Sequence, residues 1–209
     1  MTKVDIHTLL KGKWEDGTRP KDLYASHISA NPLDYLEDIL QGLSSEERRV
    51  QSGCAEVASL LSEDKPELLY PSIELFVDNL DAKAPVLRWE AVCALGNLAS
   101  VDTDGRLPAL VDKMTSFLQD KSIVLQGHTV RALSKVVRAY PKTAPRIIDE
   151  LLSSVELFPG NRVGFLVEAM ASFVEDVDLL PRARSFVQSY IESDIRSVAS
   201  KAKKVMKMM

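Results

Sequence analysis

Arg131, Lys135, Arg138 and Lys142 recur every three or four residues, inside a stretch, 121–148, that holds six basic residues and no acid. On a helix, like charges at this spacing repel by a few tenths of a kcal/mol each. Such a face either stays solvated or receives an anionic segment, which is electrostatic recognition rather than bond-making chemistry. Residue types suited to catalysis are scattered. His7, His27 and His128 lie far from one another and from Cys54 and Cys93, so no ligand set has metal spacing. Two cysteines 39 residues apart make no disulfide framework and read as buried thiols. There is no Gly-rich phosphate loop, Gly-x-Ser-x-Gly or His-Glu-x-x-His. Acidic pairs such as Glu46-Glu47 and Asp102/Asp104 fall at helix starts or turns, where a carboxylate favours the positive helix end. The expectation is a chain with no catalytic residue, no cofactor and no metal, and hence not an enzyme.

The elements that must position the four cations repeat. Pro32, Pro71, Pro108, Pro145 and Pro181 are spaced by 39, 37, 37 and 36 residues, and each opens an apolar pattern of helical period. The second half of each period carries a stripe at steps of 4, 7, 8 and 11 residues: Val50, Cys54, Val57, Ala58, Leu61, then equivalent sets beginning at Leu87, Leu125, Val163 and Val198. Thr129 alone among these positions is polar. Each period therefore reads as two helices, the second with small residues that allow close approach. A unit this short cannot bury its own apolar face, so neighbours must stack. Ser44-x-x-Glu47 reads as a capping box ahead of the first stripe.

The predicted fold is all-α, a right-handed α-solenoid (α-α superhelix) of about five helical pairs. The pairs occupy residues 32–70, 71–107, 108–144, 145–180 and 181–209, and residues 1–31 form an N-terminal cap or arm with short helices near Val4 to Lys11 and around Leu23 to Ile28. Arg88-Trp89-Glu90-Ala91-Val92-Cys93-Ala94-Leu95-Gly96-Asn97-Leu98-Ala99 resembles the second helix of a HEAT repeat, and Leu107-Pro108, Tyr70-Pro71 and Leu180-Pro181 resemble HEAT first-helix starts. Asp81 with Arg88, and Asp120 with Gln126, partly match that family's Asp/Arg pair at the turn. Gln126 and the acid-free Pro159-Gly160-Asn161-Arg162 depart from it. The resemblance, spanning 32–209, implies that the second helices line a concave groove.

At about 100° per residue, offsets 6, 10, 13 and 17 from each stripe start fall in one arc away from the core. These are Glu56, Leu60, Glu63 and Glu67 in the first repeat, Arg131, Lys135, Arg138 and Lys142 in the third, and Ala169, Phe173, Asp176 and Leu180 in the fourth. The reading is a groove acidic at one end and basic at the other, with Phe173 as an apolar anchor. Trp89 and Phe165 share offset 2 and either pack between repeats or form groove aromatics.

Charge agrees with this gradient. Residues 1–110 carry 11 Lys/Arg and 19 Asp/Glu, and residues 111–209 carry 15 and 11. With 45% apolar and 27% charged residues the chain can bury a core. Its longest uncharged stretch, 91–101, is 11 residues, short of the ~18 that cross a bilayer. Asp5 interrupts the first apolar patch, so no export signal is expected, and the reading is a cytoplasmic protein without membrane contact. The leading function is a non-enzymatic scaffold that binds a segment of another protein along the groove. The alternative is nucleic-acid binding through the basic stripe, including a HEAT-like alkylpurine DNA glycosylase. An overall pI near 5.5 and the acidic first repeats weigh against phosphate.

Overall fold

A computed structural model describes residues 3–15 and 17–209, all of whose regular elements are helical. The chain divides into two compact units, one ending at Asp102 and the other starting at Thr103. In the first, α1 (Ile6–Lys11) and α2 (Pro20–Leu23) precede α3 (Leu36–Gly42), α4 (Arg48–Asp64), α5 (Pro66–Leu69), α6 (Ile73–Asn79) and α7 (Pro85–Leu98). The second holds α8 (Val111–Ser116), α9 (Ile123–Ala139), α10 (Ala144–Ser153), α11 (Val163–Ala169), α12 (Leu180–Gln188) and α13 (Arg196–Met206).

The recurrent prolines mark helix starts because a helix's first turn has no use for their missing N–H. Pro145 and Pro181 sit in the first turns of α10 and α12, whereas Pro32, Pro71 and Pro108 lie in 3-10 turns that lead into the α-helices. The apolar stripe is fully buried on α4, α7 and α9. On the fourth second helix it fails at Ala171 and Val174, which are half-buried. There the α-helix gives way to a 3-10 turn at Met170–Phe173. Tightening from about 100° to about 120° per residue over four residues rotates the downstream chain by about 80°. That rotation turns Phe173 inward and Val174 partly out.

Carbonyls left open at the ends of the first helices are satisfied by the second helices. Gln51 Nε2 donates to the Leu43 carbonyl at 3.1 Å and Gln126 Nε2 to the Leu118 carbonyl at 2.9 Å, each across eight residues. Arg162 Nη1 in turn donates to Gln126 Oε1 at 3.0 Å. The departure of Gln126 from the Asp/Arg pattern is thus filled by an amide that both donates and accepts. Along the first helices of the second unit runs a different ladder, Asp112 with Arg146 and Asp149 with Arg182. These pairs are exposed and contribute little stability, but they agree with a single register of stacking.

The capping box does not form. Glu47 is the N-cap of α4 without a side-chain bond, and its own N–H donates to Ser45 Oγ at 3.2 Å. The helix starts three residues later than the motif requires, with Glu47 rather than Ser44 as N-cap, and Ser45 supplies its oxygen to the turn that precedes it.

Residues 3–15 and 17–31 pack on α4. Ile6, Leu10, Leu23 and Ile28 are buried, the last of them in a π-helical turn, Tyr24–Ile28. Arg49 donates to the Gly12 carbonyl, Lys65 to that of Ser29, and Tyr24 Oη to Asp64 Oδ2 at 2.9 Å. Gly42 gives α1 and α4 their space, since a Cβ there would stand 2.2 Å from Cys54 Sγ and 3.0 Å from His7 Nε2.

The core makes two outcomes testable. Thr129 Oγ1 is wholly buried and has no hydrogen-bond partner. Thr129→Val keeps the shape and removes that unsatisfied hydroxyl, so it should stabilise the fold by about 1 kcal/mol and raise Tm by about 2–4 °C in a thermal melt. Burial pushes the Cys54 thiol up to about 12, with the Asp38 carboxylate adding to the shift, whereas Cys93 is half-buried. A thiol reagent should therefore titrate Cys93 in the native protein and Cys54 only after denaturant is added.

Candidate functional site

The sequence-derived site residues divide between the two units. In the second unit, Arg131, Lys135 and Arg138 do lie along α9, with Arg131 and Arg138 exposed and Lys135 half-buried. Lys142 does not share that helix. Tyr140 caps α9 with φ −131° and ψ 76°, and Pro141 starts a 3-10 turn in which Lys142 is exposed. The residue before a proline is driven out of the helical region, so the stripe ends at three cations.

Phe173 is not an anchor either. It is fully buried, carried inward by the 3-10 rotation, and cannot meet a partner. The aromatic that lies among the cations is Phe165, half-buried on α11. Arg131 Cζ from α9 and Lys201 Nζ from α13 each stand 5.3 Å from its ring centroid. Two glycines make room for this arrangement. A Cβ on Gly127 would meet the Phe165 ring at 3.3 Å, and one on Gly164 would meet the Lys201 stem at 3.0 Å. Lys201 Nζ also pairs with Glu168 Oε2 at 2.9 Å. His128, one turn before Arg131, is held below its ordinary range, mainly by burial and further by the Arg131 charge. This part of α9 thus resists taking on another positive charge as pH falls.

In the first unit two carboxylates of the outward arc differ in exposure. Glu63 is exposed, and Glu56 is half-buried. Burial raises the Glu56 pKa, the Lys21 cation lowers it and Asp22 raises it. The polar centre that sequence reasoning missed is Glu90. Its Oε1 accepts from Trp89 Nε1 at 3.0 Å, and Ser59 donates to it from α4. Burial raises its pKa, hydrogen bonds from Ser59 and Trp89 oppose the shift, and the Glu56 carboxylate adds to it. Nearby, Asn97 Nδ2 donates to Ser62 Oγ at 2.8 Å. Trp89 is half-buried, and its N–H is used within the fold. Glu90 lies at offset 3, between the core stripe and the outward arc, as do His128 and Lys201. Partly buried polar residues recurring at that offset were the available signal.

Among the described residues, no three His, Cys, Asp or Glu side chains gather in a way that could hold a metal ion, and no helix is long and apolar enough to cross a membrane.

Comparison with solved structures gives the architecture. The chain is similar to two engineered proteins from the Northeast Structural Genomics Consortium. One matches at TM-score 0.69 and 17% identity over 98% of each chain. The other matches at 0.64 and 19%, over 98% of this chain and 96% of that one. It is also similar to a designed armadillo repeat protein at TM-score 0.64 and 13% identity, over 98% of this chain and 99% of that one. No family model and no curated protein matches the sequence. At these identities the likeness concerns fold alone, and with the stacked pairs described above it makes the chain an all-α helical-repeat solenoid.

The half-buried Glu90 carboxylate yields a signed pH prediction. Because the folded state raises the Glu90 pKa above its ordinary 4.5, folding favours the protonated form, and stability falls as pH rises from about 4.5 through the folded value. Glu90→Gln retains an acceptor for Trp89 and Ser59 while removing the charge. Urea titrations should find the variant more stable than wild type at neutral pH, with the gap closing towards pH 4.

Proposed function

We propose that this chain is a non-enzymatic, HEAT-like scaffold that binds an acidic segment of another protein through the α9/α11/α13 face of its second unit. The observation that carries the reading is the Phe165 ring held between Arg131 and Lys201, with Lys135 and Arg138 continuing the positive charge along α9. The ring holds the Arg131 and Lys201 head groups in place by cation–aromatic contact, and the cations along α9 offer charge complementarity to an acidic segment. In the HEAT-like arrangement the second helices face a concave groove, which gives an extended partner segment a continuous surface. The cytoplasm is the proposed compartment.

Nucleic acid is the weaker reading. Phe165 is already contacted by cations from both neighbouring helices, so it offers little free ring face for base stacking, and Glu168, the carboxylate nearest to it in sequence, is paired with Lys201.

The test is an affinity capture from nuclease-treated lysate at low and near-physiological salt, comparing wild type with Arg131→Glu/Lys135→Glu/Arg138→Glu. A thermal melt checks that the variant is folded. A protein retained by wild type and lost by the folded variant is the expected result. Identical captures by both would make the stripe a solvated helix face, and a signal lost on nuclease treatment alone would favour the nucleic-acid reading.

A further inference from the structure

The cations of the α9 face are not equivalent. Arg131 stands one turn after Gly127, and the Phe165 ring of α11 lies against that glycine, 3.3 Å from where a Cβ would be. The two positions share one side of the helix, so the ring comes up against the Arg131 head, 5.3 Å from its Cζ. Contact with the π electrons holds a guanidinium in place and leaves its charge intact. The head also has more N–H donors than a ring can take, and they lie in one rigid plane. Arg131 is exposed, and among the described residues no carboxylate pairs with it.

Lys201 touches the same ring at the same distance, but its ammonium is paired with Glu168 at 2.9 Å. Arg138 is exposed and, among the described residues, rests on no aromatic ring. An unsupported arginine must give up rotamer freedom before it can hold a ligand. Arg131 therefore combines an ordered head with an unused set of donors, two properties that Lys201 and Arg138 have only singly.

We infer that Arg131 is the specificity-determining residue of the proposed face and takes a side-chain oxyanion of the partner segment, a carboxylate or a phosphoryl group, in the fork of its guanidinium. The inference rests on the proposed function and deepens it. A planar fork makes two parallel N–H···O bonds to such a group, whereas a lysine ammonium offers only a point charge. Lys135 and Arg138 act at longer range and draw the segment in by charge. Attraction by net charge needs no ring, but selection of one anionic residue at one place does.

The experiment uses the whole chain at near-physiological salt with two labelled, unstructured Gly/Ser peptides. One bears three glutamates, and the other has phosphoserine in place of the central glutamate. Fluorescence anisotropy should show both bound, and the tighter of the two names the source of the oxyanion. Arg131→Lys keeps the charge and should weaken binding about fivefold or more. The same swap at Arg138 should change it by less than about twofold. Phe165→Leu alters no charge but removes the support, and should weaken binding about threefold or more. The Arg131 Nε–H resonance, identified by its absence in Arg131→Lys, should shift when either peptide is added to wild type. A thermal melt verifies each fold, and the two arginine swaps lie at exposed positions, so they decide the matter even if Phe165→Leu does not fold.

The inference is overturned if Arg131→Lys binds as wild type does, if Arg138→Lys loses as much, or if folded Phe165→Leu keeps full affinity. Binding lost in Arg131→Glu/Lys135→Glu/Arg138→Glu but kept in Arg131→Lys would overturn it and leave the proposed function standing. Failure of wild type to bind either peptide would overturn both.

Discussion

How closely one second helix can approach the next governs this protein. A single helical pair leaves an apolar face open, and only stacking closes it, so every other feature is arranged around that contact. Small residues set the distance. Gly127 admits the Phe165 ring and Gly164 admits the Lys201 stem, while Gly42 leaves space for Cys54 and His7 in the first unit. Side chains larger than glycine at these positions would push the helices apart and separate the groups that make the cation–aromatic cluster. The candidate site is thus a by-product of packing, built from what the helix–helix seam leaves at its edge.

Electrostatics at these seams works against the charge each unit already carries. In the first unit burial raises the pKa of Glu56 and Glu90, and Glu90 also feels the Glu56 carboxylate. In the second, burial and Arg131 together hold His128 towards its neutral form. Half-buried groups therefore lean towards neutrality, and the charges available to a partner are the exposed ones, such as Glu63, Arg131 and Arg138. Glu56, Glu90 and His128, whose pKa values burial shifts, are all half-buried.

Much of this was legible in the residues. Apolar spacing repeats because a helix turns about 100° per residue whatever surrounds it, so Leu125, Ala132, Leu133 and Val136 announce a buried face without knowledge of the neighbour. The five-fold recurrence, the placement of the prolines at helix starts and the three cations on α9 have the same local origin.

Other features depended on what packs against what. Phe173 reads as outward at α-helical pitch and is buried because the chain tightens to 3-10 geometry at Met170–Phe173. Periodicity assumes a constant pitch and carries no sign of that change. Lys142 leaves the stripe through the backbone break at Tyr140-Pro141, a signal that was present in the proline but outweighed by the charge pattern. The bonds of Gln51 and Gln126 to carbonyls eight residues back, the Asp112–Arg146 and Asp149–Arg182 ladder, and the meeting of Phe165 with Arg131 and Lys201 join different helices. The sequence by itself therefore determined the helices, their period and their buried faces, since these arise from interactions within one or two turns. Which polar groups meet, and which aromatic lies among the cations, was decided only by the tertiary structure, because those contacts depend on interhelical distances that the spacing of residues along one chain does not encode.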